Sequence, residues 1–261
     1  MPHSISEALT HHQHALGTWV QMNSPETCQI AGLAGYDFII IDMEHGALGI
    51  SETANLIRTV SGSGADAIVR VPDQSATIIR RVLDAGAAGV LVPGIKTAEE
   101  ARNAIAATKY EPSGLRGACP CVPSVSYGTI PWSNCREHSS DPLIWLLIEH
   151  RLAIENIDEI VATKPDAIAL GPFDLSMSLG LNGEYSHPDV LSSLNMATEA
   201  ARAIDVDVVY VALDFAPELS TRRIVEARDR GCRIATTFID RALLAYTYTE
   251  TVKSIRSSLY N

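Results

Sequence analysis

Short apolar runs recur along the chain roughly every 25–35 residues, separated by stretches in which apolar positions return at helical spacing. The runs fall at residues 17–20, 37–42, 67–71, 89–92, 144–148, 167–170, 206–211 and 232–236. They are apolar at almost every position rather than at alternate ones. That is the pattern of parallel strands covered on both faces. The intervening helical segments include 51–61, 73–84, 97–108, 188–203 and 217–230, with a closing helix over 241–259 and a short one within 5–16. Local signals mark several starts: Ser24 can cap a helix with Pro25 at its first position, and Thr97 with Glu100 has capping-box spacing. Eight strands alternating with helices, and no linker between them, predict a single-domain α/β protein, a (β/α)₈ (TIM) barrel over residues 1–261. A doubly wound open sheet is the other topology the pattern allows. One stretch breaks the rhythm: residues 109–142 are rich in Pro, Gly, Ser and Cys and read as a long lid-like loop.

In a barrel the chemistry sits where the strands end. Trp19 closes the first run; Asp42, Glu44 and His45 follow the second; Arg70 ends the third; Glu149 follows the fifth; and Gly171-Pro172-Phe173-Asp174 follows the sixth. Glu149 and Asp174 therefore stand on one rim past neighbouring strands. Two anions so placed repel unless something positive lies between them, and a hard dication held by few carboxylates and several waters fits best. Two hard-cation ligands, a histidine and an arginine together suit enolate chemistry on a 2-oxo acid. In that reading Arg70 balances the oxyanion, and His45 or a cation-bound water moves the proton while a neighbouring carboxylate fixes the imidazole. Plainer readings exist for each: Glu149 facing a helix dipole, Asp174 capping a turn, His45 structural beside Gly46, Arg70 paired with Asp66 or Asp73. Asp84 ends its helix on the opposite side of its repeat and reads as a capping or interface group.

Composition narrows the field. With 46% hydrophobic residues the chain has ample material for a large core, and a net charge of −11 argues against nucleic-acid binding and suits a cytoplasmic protein kept away from anionic membranes. No apolar run approaches the ~20 residues of a membrane span, and the N-terminus does not read as a signal peptide. Five scattered cysteines, Cys28, Cys119, Cys121, Cys135 and Cys232, read as reduced thiols. The His11, His12, His14 cluster reads as a solvated helix face. None of the four lysines lies in a predicted strand, which disfavours a Schiff-base aldolase. No nucleotide-cradling glycine motif and no Gly-x-Ser-x-Gly elbow is present.

The order and spacing of Gly17-Thr18-Trp19, Ile41-Asp42-Met43-Glu44-His45-Gly46, Val69-Arg70-Val71-Pro72, Leu83-Asp84-Ala85-Gly86-Ala87, Gly114-Leu115-Arg116-Gly117, Ile148-Glu149 and Gly171-Pro172-Phe173-Asp174-Leu175-Ser176 resemble the HpcH/HpaI family of class II aldolases over nearly the whole chain. The resemblance implies a cation-dependent lyase that cleaves or forms the bond between pyruvate and an aldehyde in 4-hydroxy-2-oxo acids. It implies Glu149 and Asp174 as ligands for Mg, Mn or Co, Arg70 steadying the enolate, and His45, held by Asp42, in proton transfer. Trp19, Leu147, Gly171, Pro172 and Phe173 become substrate-binding positions, and Glu44 and Asp84 supporting or inter-subunit ones. A cytoplasmic homohexamer, a trimer of dimers with the C-terminal helix in its contacts, is implied as well.

Three positions depart from the family pattern: Leu147 stands where Gln is usual, Phe173 where a small residue is usual, and His150 where Ser or Thr is usual. The pocket is expected to be tighter and more apolar, with a donor other than ordinary pyruvate or a related reaction such as oxaloacetate decarboxylation. The other readings kept open are a CoA-thioester lyase, a macrophomate-synthase-like biosynthetic enzyme and a catalytically silent barrel.

Overall fold

Eight parallel strands close on themselves in chain order, each joined to the next and β8 back to β1. The computed structural model describes residues 4–134 and 141–260. The strands are β1 (Ala15–Val20), β2 (Phe38–Asp42), β3 (Asp66–Arg70), β4 (Gly89–Val92), β5 (Leu143–Ile148), β6 (Ala167–Leu170), β7 (Asp207–Val211) and β8 (Ile234–Ile239). This is the (β/α)₈ barrel expected from the alternating runs.

Strand pleating divides the apolar residues into two layers. One parity points inward: Phe38, Ile40, Ile68, Leu91, Trp145, Leu147, Ala169 and Val209 fill the barrel, with the Phe38 and Trp145 rings edge to face at 5.3 Å. The other parity, including Ile39, Ile41, Val69, Val90, Leu146 and Ile168, packs against the helices through Leu56, Ile57, Ile79, Val82 and Ala101. Burial on both faces is why the runs are apolar without alternation. Helix starts follow the local chemistry. Ser24 accepts from Thr27 N–H ahead of Pro25, and Thr97 with Glu100 forms the full capping box.

Several details differ from the sequence reading. β8 runs to Ile239 rather than stopping at Thr236, because Thr236 and Phe238 still face inward: Trp19 Nε1 donates to Thr236 Oγ1 at 2.8 Å. The helical segment after β5 is two short helices, Arg151–Glu155 and Ile157–Val161, meeting at Asn156, whose side chain donates to the Lys96 carbonyl. Asp174 lies in the first turn of a helix, Pro172–Ser178, and not in a turn. His11, His12 and His14 are exposed, and Cys28, Cys119, Cys121 and Cys232 are free thiols; Cys135 lies outside the described residues.

Among the described residues, the 109–134 part of the long stretch does not cover this chain's own rim. It follows a helix that ends at the amino end of the barrel, and Tyr110, Arg116, Ser124, Val125, Asp141 and Pro142 line a hollow there with Leu83 and Ala87, opposite the strand ends. Its short 3₁₀ segment Pro123–Gly128 packs on the helix Ala76–Asp84. There Arg116 reaches Asp84 at 2.7 Å and stacks on Tyr110, while Trp132 meets Tyr110 edge-on at 5.4 Å. Residues 135–140 of the stretch lie outside the described residues. Asp84, Tyr127 and Trp132 are thus remote from the cavity at the other end. The closing helix, Asp240–Tyr260, buries only Asp240.

Candidate active site at the carboxyl ends of the strands

The inward parity of the strands, carried one step past each strand or to its last residue, builds the site. Trp19 leads to Gln21, Ile40 to Asp42, Ile68 to Arg70, Leu147 to Glu149 and Ala169 to Gly171. Most of these residues, with His45, Phe173 and Asp174, line a cavity of about 550 Å³ at the carboxyl end of the barrel. Asp42 lies beneath, fully buried.

Asp42 and Arg70 are register partners on β2 and β3. Their side chains meet in a forked pair: Arg70 Nε donates to Asp42 Oδ1 at 2.8 Å and Nη2 to Oδ2 at 2.6 Å. Arg70 Nη1 lies 3.0 Å from Glu44, and its guanidinium sits 4.9 Å over the Trp19 ring. A planar fork held on one side by a carboxylate and on one face by an indole keeps its cavity-facing edge in one orientation. Burial works against the charge on Asp42, but the Arg70 hydrogen bonds and charge, with those of Gln21 and the His45 backbone, hold its carboxyl below the usual range. Burial likewise opposes the charge on Arg70, and Asp42 and Glu44 restore it.

One expectation changes here. Asp42 accepts the backbone N–H of His45 at 3.3 Å and does not reach the imidazole. The carboxylate beside the ring is Glu44, 4.0 Å from Nε2, and the ring is 60% exposed. Both oxygens of Asp42 are taken by Arg70, so the dyad expected between Asp42 and His45 is replaced by one between Asp42 and Arg70. Nor does Arg70 pair with Asp66 or Asp73. Glycine at position 46 permits the tight turn beneath: a Cβ there would stand 2.1 Å from the Asp42 carbonyl oxygen.

Glu149 and Asp174 line the same cavity. Gly171 N–H bonds the Ile148 carbonyl at 3.0 Å, and the chain then enters the helix bearing Asp174. A Cβ on Gly171 would lie 2.7 Å from Glu149 Cβ, so only glycine lets the two segments approach. Burial, opposed by a hydrogen bond from Gly94 N–H at 2.8 Å, pushes the Glu149 carboxyl up to about 7, and the charges of Glu44 and Asp174 add to it. Glu44 is raised by burial too, against the pull of Arg70 and His45. Its buried Oε2 makes no hydrogen bond and has the Arg70 guanidinium 3.0 Å away as its ion-pair partner. An excess of negative charge in a partly buried rim fits a bound cation. Among the described residues no three His, Cys, Asp or Glu side chains form a metal-ligand group. A cation there would rest on Glu149, Asp174 and water, the manner of hard ions such as Mg²⁺ or Mn²⁺.

Some participants were invisible to motif reading. Gln21 Nε2 donates to Asp42 Oδ2 at 2.6 Å, and Asp240 accepts the backbone N–H groups of Gln21 and Met22, each at 3.1 Å. Gln21 had a signal: it stands two residues beyond Trp19, on the same inward parity. Tyr185, Phe215 and Phe238 come from loops or strand ends without a motif. His150 does what Ser or Thr does at that place, its Nδ1 accepting from Leu152 N–H at 3.1 Å as a helix cap.

A closed parallel barrel with a carboxylate pair, a locked guanidinium and a histidine at its strand ends defines a class of enzymes that make and break carbon–carbon bonds beside a carbonyl. Comparison with known proteins gives the same class. Residues 15–226 match the model of the HpcH/HpaI aldolase/citrate lyase family. A 5-keto-4-deoxy-D-glucarate aldolase of Salmonella paratyphi A is 36% identical over 203 residues, 77% of this chain and 79% of the relative. The HpcH/HpaI aldolase of Desulfitobacterium hafniense DCB-2 superposes with a TM-score of 0.88 at 29% identity, covering 97% of both chains. Macrophomate synthase superposes with a TM-score of 0.83 at 25% identity, covering 97% of this chain and 88% of the other. The chain belongs to the HpcH/HpaI aldolase/citrate lyase family. It is a carbon–carbon lyase of the aldolase type, joining or cleaving a 2-oxo acid enolate and an aldehyde.

Proposed function

We propose that the lyase reaction depends on a divalent cation held by Glu149 and Asp174, and that it runs on a pyruvate-like 2-oxo acid and an aldehyde. The observation that carries this is the Glu149 carboxyl, which lines the cavity with Asp174 at a partly buried rim and is pushed up to about 7 by burial and by the charges of Glu44 and Asp174. A dication there would withdraw electron density from the 2-oxo group and ease loss of a proton from the neighbouring carbon.

The chain's own residues supply the rest. Arg70, locked by Asp42, offers its cavity edge to the oxyanion that develops on the former keto oxygen. His45 stands at the open side with Glu44 beside its ring, where it moves a proton between the aldehyde oxygen and water. Trp19 and Leu147 form the floor, and Gly171, Pro172 and Phe173 the wall on the β6 side. We further propose that the protein works in the cytoplasm as a homohexamer, a trimer of dimers. Leu244, Tyr248, Val252, Ile255 and Leu259 leave an exposed apolar stripe along the closing helix, which supports a role in subunit contacts. Asp84 belongs to the amino end, where an inter-subunit role is open to it.

The test is retro-aldol release of pyruvate from a 4-hydroxy-2-oxo acid, together with exchange of pyruvate methyl protons in D₂O followed by NMR. Both should stop on chelation and return with Mn²⁺ or Mg²⁺, and Glu149→Gln and Asp174→Asn should abolish both while the barrel stays folded. Undiminished turnover in chelator would overturn the proposal.

A further inference from the structure

The cavity is divided by chemistry. Gln21, His45, Arg70, Glu149 and Asp174 put its ionic and amide groups around the carboxylate pair. The wall from the ends of β7 and β8, between β6 and β1, is apolar: Val211, Leu213, Phe215, Phe238 and Ile239 face the space, with the two phenyl rings edge to face at 4.9 Å. Phe215 is 48% exposed and Phe173, on the neighbouring lip, is 50% exposed. Aromatic rings left open at the mouth of a cavity gain from an apolar partner. Trp19 spends its N–H on Thr236 and so turns only ring surface to the cavity. Among the described residues lining the cavity, Arg70 and His45 are the only cations or potential cations, and Arg70 is held by Asp42 and Glu44. Arg241 lies beyond the lining, bonded to the Gln21 carbonyl. A second carboxylate or a row of hydroxyls on the acceptor would meet no complementary charge on the β7–β8 side.

The geometry points to an apolar acceptor: this wall receives an aromatic or medium-chain aliphatic aldehyde, with Phe215 and Phe238 as its recognition pair. The inference rests on the aldol reading of the site given above. In the synthetic direction pyruvate C3 gives up a proton and forms a bond to the aldehyde carbon. The carbonyl π pair moves to the aldehyde oxygen, which takes a proton. The product is a 4-hydroxy-2-oxo acid bearing an aryl or alkyl group at C4.

With Mn²⁺ and pyruvate, benzaldehyde and hexanal should exceed glycolaldehyde and succinic semialdehyde in kcat/KM by roughly 10- to 100-fold, the worth of burying one ring or several methylenes. Phe215→Ser, at an exposed position, should lower the benzaldehyde-to-glycolaldehyde ratio by about 10-fold, and Phe215→Leu should keep most of it. Saturation-transfer NMR on cation-free enzyme without pyruvate gives a readout independent of turnover: benzaldehyde should bind the wild type and lose its signal in Phe215→Ser. Benzaldehyde binding without any pyruvate proton exchange would sink the aldol reading and leave the apolar subsite standing. Proton exchange together with a preference for the carboxylated or hydroxylated aldehyde, or with no benzaldehyde binding, would overturn the inference alone.

Discussion

Replacing Glu149 by glutamine removes a buried negative charge while keeping an oxygen to accept the Gly94 N–H. The wild-type carboxyl is raised from 4.5 to about 7 in the folded chain. Between those pH values the folded state binds more protons than the unfolded one, so cation-free stability falls as pH rises from about 4.5 to 7. A shift of that size corresponds to about 3 kcal/mol, reduced to roughly 2–3 kcal/mol for the water that reaches the carboxylate. Glutamine does not titrate, so the stability difference between variant and wild type should be small near pH 4.5 and grow in favour of the variant up to pH 8. For a chain of this size that is an increase in Tm of about 4–10 °C at pH 8 in chelator. Other groups, Glu44 among them, titrate in both proteins and largely cancel in the difference. Mn²⁺ should then stabilise the wild type at pH 8 and leave Glu149→Gln unmoved, because a ligand stabilises only the state that binds it. The assay is thermal unfolding of both proteins from pH 4.5 to 8, with and without cation. A stability difference that does not change with pH would refute the electrostatic reasoning.

Arg70→Ala should lower kcat by about 10²-fold or more by removing the charge that faces the oxyanion, with cation binding retained by calorimetry. Gln21→Leu deletes the 2.6 Å bond to Asp42 and loosens the fork on Arg70. It should cost roughly 10-fold in kcat with little change in KM, since a small misplacement of a charge-stabilising group acts mainly on the transition state. Gly171→Ala sets a methyl 2.7 Å from Glu149 Cβ, which moves only with its backbone, so it should weaken cation affinity, measured by titration, and lower Tm as well. Leu147→Gln, placing an amide at the cavity floor, should shift the kinetic preference among 2-oxo acid donors toward pyruvate; an unchanged donor panel would show that Leu147 does not set donor choice. Val252→Glu with Ile255→Glu should dissociate the assembly, read by light scattering, because two charges would fall on the exposed apolar stripe of the closing helix.

The barrel could be read in advance because its strands are buried on both faces and the helices between them on one, and those two burdens write different periodicities into the chain. The rim residues were legible for a related reason. A polar residue that follows a buried strand sits at its end, so Asp42, Arg70 and Glu149 declared their place by sequence position. Asp174 did so through the Gly171-Pro172 break. Gln21 could have been found the same way, by stepping two residues on from Trp19. What no linear pattern carries is which polar groups then choose one another. Asp42 has Gln21, Arg70 and the His45 backbone within reach, and only side-chain geometry decides that its oxygens go to the guanidinium and leave the imidazole to Glu44. The same holds for the 109–142 stretch, whose length reads as a lid. Its described residues lie at the far end of the barrel, an outcome of chain direction in a closed sheet. The apolar wall of Phe215 and Phe238 likewise joins a loop after β7 to the end of β8, residues brought together by the pairing of those two strands. Sequence determined the layers and the rim because burial acts on every residue in turn; tertiary structure decided the pairings because hydrogen bonds and ring contacts depend on directions and distances between segments far apart in the chain.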